Sequence, residues 1–402
     1  MKNVVLLTID TLRRDVLGCY GGGGGHSPFI DALAAKSLRF TRCMSVGPYT
    51  QAAFPGLLTS SYYLDHPDHG KGKTLSPERT LVSEALKAAG LATAAFHSNP
   101  YLCELFGWNR GWDKFYDSMD ADVSDEVPYV RGSVINAKVD GWLSTRAIED
   151  DESPFFLWAH YMDIHEPYVP EDHYVKAVDP SISLSQSEMF KLFTDVLLPR
   201  DVSDPDTVAL LKKLYLAHLR EIDEYARAFF GILERQGVLA DSVVIVTADH
   251  GDEFGDHGGL SHDGKMMGEL LDVPLLVYDP AKPEGATSDA LVSGVDIPST
   301  IAHLFGVEPA PNWQGESFLP LEDYAEKGAF AEAIGKRGKE KADDKPVFAY
   351  REGDLKVCYR SADGAWGLFD LAADPEERKN LAADHPRAGE MKSRLKPRID
   401  RV

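Results

Sequence analysis

DSVVIVTADHGDEFGDHG, residues 241–258, decides how the chain is read. Its first half is a short run of β-branched and small residues, apolar at almost every position. Such a strand is buried on both faces, the situation inside a parallel sheet covered by helices. The run ends in Asp249-His250-Gly251, so a carboxylate and an imidazole leave the sheet at its carboxyl edge. In open α/β sheets, ligands gather at that edge.

Four more runs have the same character: NVVLLTID (3–10), LATAAFHS (91–98), PFFLWAHY (154–161) and VPLLVYD (273–279). Helix-period segments lie between them, among them PFIDALAAKSL, ERTLVSEALKAAG and LKKLYLAHLREIDEYARAFFGILERQG, the last two closing on a glycine suited to a helix C-cap. The pattern predicts an α/β fold, a mostly parallel sheet sandwiched by helices. Asp10 ends one strand, Asp163 and His165 follow another, and Asp249 with His250 end a third, so distant positions are expected to become neighbours.

The chain's 402 residues suggest one large domain with an appendage. We expect a catalytic α/β domain over 1–325 and a C-terminal α+β subdomain over 326–402. In the latter, GKRGKEKADDK reads as a solvated linker, PVFAYREGDLKVCYRSADGAWGLFDL as an antiparallel meander and PRAGEMKSRLKPRI as a helix. Residues 171–208, rich in turn formers, read as a lid or wall over a site. GGGGG (21–25) lacks the GK[ST] ending of a phosphate loop and reads as a connection.

With 44% hydrophobic and 26% charged residues, the composition is that of a globular protein. A formal net charge of −22 opposes a nucleic-acid partner, and no apolar run is long enough to cross a bilayer. Four cysteines without C-x-x-C spacing, and an N-terminal apolar run ending in Asp10 with no cleavage site, point to a buried first strand and a cytoplasmic setting.

The chemistry is expected where the strand ends meet. Asp249 and His250, trailed by His257 and His262, form a carboxylate and imidazole set that favours Zn²⁺ or Mn²⁺, with the oxygen-seeking Ca²⁺ as the alternative. One or two ions per chain are expected. Asp10 has two readings, metal ligand or cap of a helix begun by TLRRDVLG. His165, in DIHEPY, is a loop histidine with its orientation constrained by a nearby proline. In SVGPYTQAAFPGLLTS (45–60), Thr50 stands where a helix should begin. Its hydroxyl is a cap or a nucleophile, and Pro55 suits the first turn.

Taken in order, TIDTLRRDVLGCYG, PYTQAAFPGLLTS, FFLWAHYMDIHEPY, TADHGDEFGDHG, VPLLVYDP and LFDLAADPEERKNLA resemble the sulfatase branch of the alkaline phosphatase superfamily over nearly the whole chain. The resemblance implies an alkaline-phosphatase-like sheet and a metal-assisted attack on an ester. Sulfatases carry a C/S-x-P-x-R signature with its first residue oxidised to formylglycine. Here that register reads Thr50-Gln51-Ala52-Ala53-Phe54. Threonine cannot give formylglycine, and Phe54 replaces the arginine. The family's two sulfate-binding lysines fall near Ser98 and on His262, with Lys265 as a substitute only if the loop shifts. A nucleophilic threonine, and a histidine about twelve residues after the Asp-His pair, are instead similar to phosphoryl-transfer members such as phosphoethanolamine transferases and nucleotide pyrophosphatases.

The expected activity is therefore metal-dependent hydrolysis of a small-molecule phosphoester, a diester or phosphonate monoester being favoured. Asp10, Asp249 and His250 would hold an ion against Thr50, the nucleophile of a phosphothreonine pathway. His165 and His262 would bind the phosphoryl group or a second ion and handle protons, and Ser98, Asn99 and Lys265 would contact substrate. The alternatives are a sulfuric ester hydrolase without formylglycine, a phosphotransferase or phosphomutase, and an inactive binding protein of the same fold.

Overall fold

The computed structural model describes residues 3–66, 74–335 and 345–401. The strands of the α/β part are β1 (Asn3–Ile9), β2 (Ser37–Met44), β3 (Ala92–His97), β4 (Lys114–Tyr116), β5 (Phe155–Tyr161), β6 (Ser242–Ala248), a small ribbon of β7 (Glu253–Phe254) and β8 (Leu260–Ser261), then β9 (Leu275–Tyr278) and β10 (Ala286–Ser293). Eight of them form one sheet in the order β10-β2-β9-β6-β1-β5-β3-β4. Only β9 runs against the rest, pairing antiparallel with both β2 and β6. β1, β5 and β6 are buried at every position, as their unbroken apolar runs require. β2 and β10 were not anticipated: both carry polar residues at half-exposed positions near the sheet edge, and Arg39 and Arg42 break the apolar run of β2.

The helices are α1 (Pro28–Ala34), α2 (Thr50–Thr59), α3 (Val82–Ala88), α4 (Gly132–Ile148), α5 (Asp172–Val178), α6 (Gln186–Leu192), α7 (Pro205–Arg235), α8 (Gly268–Leu271), α9 (Ile297–Phe305) and α10 (Ala388–Ile399). Alternation along β5 shows the two layers. Trp158 and His160 meet Phe54 of α2, with ring centroids 5.6 and 5.1 Å apart, while Phe155 meets Trp142 of α4 and Tyr161 meets Phe229 of α7 at 5.2 and 6.5 Å. Gly90 and Gly237 follow α3 and α7 at φ +85° and +73°, a left-handed turn that a side chain would oppose.

Residues 171–208 are more helical than their turn-rich composition suggested. They hold α5, α6 and a π-turn over Phe193–Leu197, and α5 packs on α7. Arg200, with φ +56°, donates from this excursion to the carbonyls of Leu260 and His262, which makes it a wall beside the His262 loop.

A second sheet of β11 (Ala329–Ile334), β12 (Pro346–Glu352), β13 (Leu355–Arg360) and β14 (Ala365–Asp370) is antiparallel throughout. Ala331, Ala349, Cys358 and Phe369 pack on Met44, Tyr49 and Leu271 of the α/β part. The opposite face, with Phe348, Val357 and Leu368, is covered by Met391 and Leu395 of α10. The charged segment read as a linker lies outside the described residues over 336–344.

Phe54 is fully buried, with Trp108 and Trp158 around its ring. Restoring the signature arginine by Phe54→Arg would bury a charge among aromatic rings and should cost about 3 kcal/mol or more of unfolding free energy. Urea denaturation would measure the loss, and a variant as stable as the wild type would contradict this packing.

Candidate active site

The parallel register of β1 on β6 pairs Ile9 with Ala248, so the residues that follow, Asp10 and Asp249, leave the sheet side by side. Both are buried, as is His250. One ligand atom from each of the three lies within 4.8 Å of the others. Asp249 Oδ1 accepts the N–H groups of Thr11 (3.2 Å) and His250 (2.9 Å), and Thr11 takes the left-handed φ of +52° in this turn. Asp10 Oδ2 accepts Asn99 Nδ2 at 2.6 Å and faces His160 Nε2 at 3.3 Å.

The other oxygens, Asp10 Oδ1 and Asp249 Oδ2, are buried without a hydrogen-bond partner and lie 3.7 and 3.4 Å from His250 Nε2. His250 Nδ1 sits 2.9 Å from the Gly251 carbonyl, which requires a proton on Nδ1 and leaves a lone pair on Nε2. Two orphaned carboxylate oxygens and an imidazole lone pair thus converge in a buried space. That donor set fits a divalent cation. Burial and the neighbouring Asp10 charge push Asp249 well above the usual carboxylate range. For Asp10, burial is outweighed by the hydrogen bond from His160 and by the neighbouring imidazoles of His165, His160 and His250, which hold it low. Burial and then His262 depress His250 to about 3.

Thr50 is 3% exposed, and its Oγ1 lies 3.5 Å from His250 Nε2 and 3.4 Å from Asn99 Nδ2. It does not cap α2. Tyr49 holds the N-cap position through its backbone, its carbonyl accepting the N–H groups of Ala52 and Ala53, and no side-chain capping bond is made there. Pro55 lies inside α2 rather than in its first turn. Asp10 is no cap either, because TLRRDVLG folds into 3₁₀ turns at Arg14–Val16 and Gly18–Tyr20.

The rings of His165, His262 and His250 form a row, with centroids 4.9 and 4.6 Å apart. His262 Nδ1 is 3.0 Å from Asp252 Oδ1, and the Tyr168 hydroxyl donates to Asp252 Oδ2. His165 Nδ1 donates to the Glu166 carbonyl at 2.5 Å. Burial, and then the charge on His165, lower His262 to about 3; burial of His165 is outweighed by Asp10, Glu166 and Asp252, which raise it.

The structure thus brings together Asp10, Thr50, Asn99, His165, Asp249, His250 and His262. Ser98 is buried nearby with its hydroxyl donating to the His160 carbonyl at 3.0 Å, a framework bond. Lys265 is engaged by Glu253 at 2.6 Å and the His257 carbonyl at 3.2 Å, and His257 by Glu269 at 2.7 Å. Asp163 accepts the Gly132 N–H at 2.9 Å and so caps α4. Sequence reasoning missed His160, Asp252 and Arg200. Of these only His160 left a trace, as the polar residue inside FFLWAHY.

The fold and site together define a hydrolase of the alkaline phosphatase superfamily, with a buried cluster of two carboxylates and an imidazole beside a hydroxyl at a helix start. The Sulfatase family model matches residues 2–307, and a model for the N-sulphoglucosamine sulphohydrolase C-terminal region matches 255–402. The chain belongs to the sulfatase family, hydrolases of sulfate or phosphate esters that use a divalent metal. It is 28% identical to the choline-sulfatase of Rhizobium meliloti (96% of this chain, 83% of that protein) and 22% identical to the N-acetylglucosamine-6-O-sulfatase of Bacteroides thetaiotaomicron (94% and 82%). The phosphonate monoester hydrolase of Agrobacterium radiobacter shares its fold with a TM-score of 0.78 at 20% identity, over 100% of this chain and 95% of that one. Among the described residues no helix is long and apolar enough to cross a membrane.

Zn²⁺ at 100 times its Kd should stabilise the protein by about 2.7 kcal/mol. Asp249→Asn should abolish that gain yet leave the metal-free protein no less stable than the metal-free wild type, since it removes a carboxyl whose ionisation burial and Asp10 already oppose and keeps Oδ1. Scanning calorimetry with Zn²⁺ and with chelator tests both halves.

Proposed function

We propose that this protein is a metal-dependent phosphoester hydrolase with Thr50 as nucleophile and no formylglycine. The observation that carries the reading is the Thr50 hydroxyl, unused as a cap and placed against His250 and Asn99. Asp10, Asp249 and His250 would hold the cation, Zn²⁺ or Mn²⁺ by their chemistry, and a bound cation supplies the Lewis acidity that makes a neighbouring hydroxyl nucleophilic near neutral pH. Thr50 Oγ1 attacks phosphorus as its conjugate base, and Asn99 orients it by donating to the same oxygen. His165, whose proton the charges of Asp10, Glu166 and Asp252 favour, would deliver it to the leaving oxygen. His262, oriented by Asp252, takes a proton from the water that then hydrolyses the phosphothreonine. At the start of α2 only the Thr50 and Gln51 N–H groups remain to meet phosphoryl oxygens, because those of Ala52 and Ala53 are bound to Tyr49.

The cations around this centre are spoken for. Arg13 is bound by Asp15, Asp256 and the Asp252 carbonyl, Lys265 by Glu253, and Arg200 by two carbonyls. A substrate group with one negative charge, a phosphodiester or phosphonate monoester, suits that balance better than a phosphate dianion. A sulfate monoester also carries one charge, and the curated relatives named above are sulfatases, so sulfate ester hydrolysis through Thr50 is the second reading.

The test is a panel of bis(p-nitrophenyl) phosphate, p-nitrophenyl phenylphosphonate, p-nitrophenyl phosphate and p-nitrophenyl sulfate with Zn²⁺ or Mn²⁺. The first two should be turned over fastest, and Thr50→Ala should lose about 10³-fold or more in kcat with its metal content intact. Turnover of the sulfate alone would favour the second reading. Unchanged turnover in Thr50→Ala would remove the nucleophile.

A further inference from the structure

We propose that Trp158, Thr8 and His160 form a directional hydrogen-bond relay that sets which oxygen of Asp10 is offered to the cation; this rests on the metal site read above. The relay starts from a group with no choice. The Trp158 indole can only donate, and it donates to Thr8 Oγ1 at 2.9 Å. The Thr8 hydroxyl keeps its own proton to give, and His160 Nδ1 at 2.8 Å is a far better acceptor than the Ala159 carbonyl at 3.4 Å. Nδ1 is thereby an acceptor, so the ring proton stands on Nε2, 3.3 Å from Asp10 Oδ2.

The opposite tautomer would turn a lone pair toward a buried carboxylate, which the site has no means to offset. With the relay in this sense, Asp10 Oδ2 is held by His160 and by Asn99 at 2.6 Å, and Oδ1 is the oxygen left without a partner. Every member is fully buried, so no water competes for these bonds. The ring of His160 is also fixed edge-on by Phe54 at 5.1 Å, and Trp158 is stacked on His97 at 5.8 Å. His160 is thus a positioning residue, one bond removed from the cation, and Thr8 and Trp158 decide its tautomer.

The experiment is carried out on the Zn²⁺-loaded protein with ¹⁵N-histidine, the His160 signals being assigned by their loss in His160→Gln. The expected signature is a pyrrole-like Nε2 and a pyridine-like Nδ1. In parallel, calorimetric titration with Zn²⁺ should show Thr8→Val, which keeps the shape and drops the hydroxyl, binding about 10-fold or more weakly, with Thr8→Ser near wild type. Thr8→Val also leaves the buried Trp158 N–H without an acceptor, so chelator-treated Thr8→Val should melt below chelator-treated wild type; movement of His160 away from the Nε2–H tautomer in Thr8→Val, read by the same ¹⁵N signals, separates tuning of the ligand from general loosening. An Nδ1–H tautomer, an imidazolium, or a Thr8→Val variant with wild-type Zn²⁺ affinity would overturn the relay while leaving the metal site standing. A wild type that binds no Zn²⁺ would remove both.

Discussion

Two carboxylates that the sheet register forces together in a buried space are the constraint from which the rest of the site follows. Two unit charges about 4–5 Å apart repel by about 3–4 kcal/mol at an effective dielectric of about 20. The fold accepts that repulsion and then spends hydrogen-bond donors on one oxygen of each acid: Thr11 and His250 N–H groups on Asp249, Asn99 and His160 on Asp10. The remaining oxygens are left facing the His250 lone pair. A cation converts the repulsion into mutual attraction, so the same geometry that costs stability in the bare chain becomes binding energy for the ion.

The antiparallel sheet acts on the other half of the site. The Tyr49 hydroxyl bonds both the N–H and the carbonyl of Ile334, at 3.0 and 3.2 Å, and the Glu332 N–H donates to the Val46 carbonyl at 2.9 Å. The segment that delivers Thr50 is therefore gripped by β11. Val46 in turn fills the space over Gly56 so closely that a Cβ there would come within 2.5 Å of it. The position of α2 relative to the ligands on β1 and β6 is set from both sheets at once.

How much of this could be read from residues alone follows from where the signal lies. The buried central strands announce themselves by unbroken apolar runs, and the residues at their ends pointed to Asp10, Asp249 and His250, which the structure brings together. The edge strand β10 and its neighbour β2 carry polar residues and gave no such pattern. Thr50 was undecidable because a cap and a nucleophile need the same residue at the same place; the backbone of Tyr49 in the N-cap position removes the cap reading. His257 and Lys265 shared the spacing and chemistry of a ligand loop, yet Glu269 and Glu253, one of them beyond that loop, bind them first. Which partner wins such a competition is a matter of tertiary distance, and spacing along the chain does not encode it. Arg200 was invisible for the same reason, since its targets are backbone carbonyls sixty and more residues away.

Charge balance links the altered signature to the chemistry. Where a sulfatase places an arginine behind its nucleophile, this chain has Phe54 pressed edge-on against His160, with the two tryptophans completing the wall. An apolar wall lowers the local dielectric, and that strengthens every remaining electrostatic term in the site. In the proposed reaction a divalent ion would offset Asp10 and Asp249, and the nearby arginines and lysine are already engaged by other partners. On that reading a singly charged substrate group suits the site better than a dianion, whose second charge would be buried with less to offset it. Phe54 therefore does more than remove an arginine. By sharpening the penalty for any uncompensated charge, it would make the count of charges on the substrate a basis for selection in the proposed reaction.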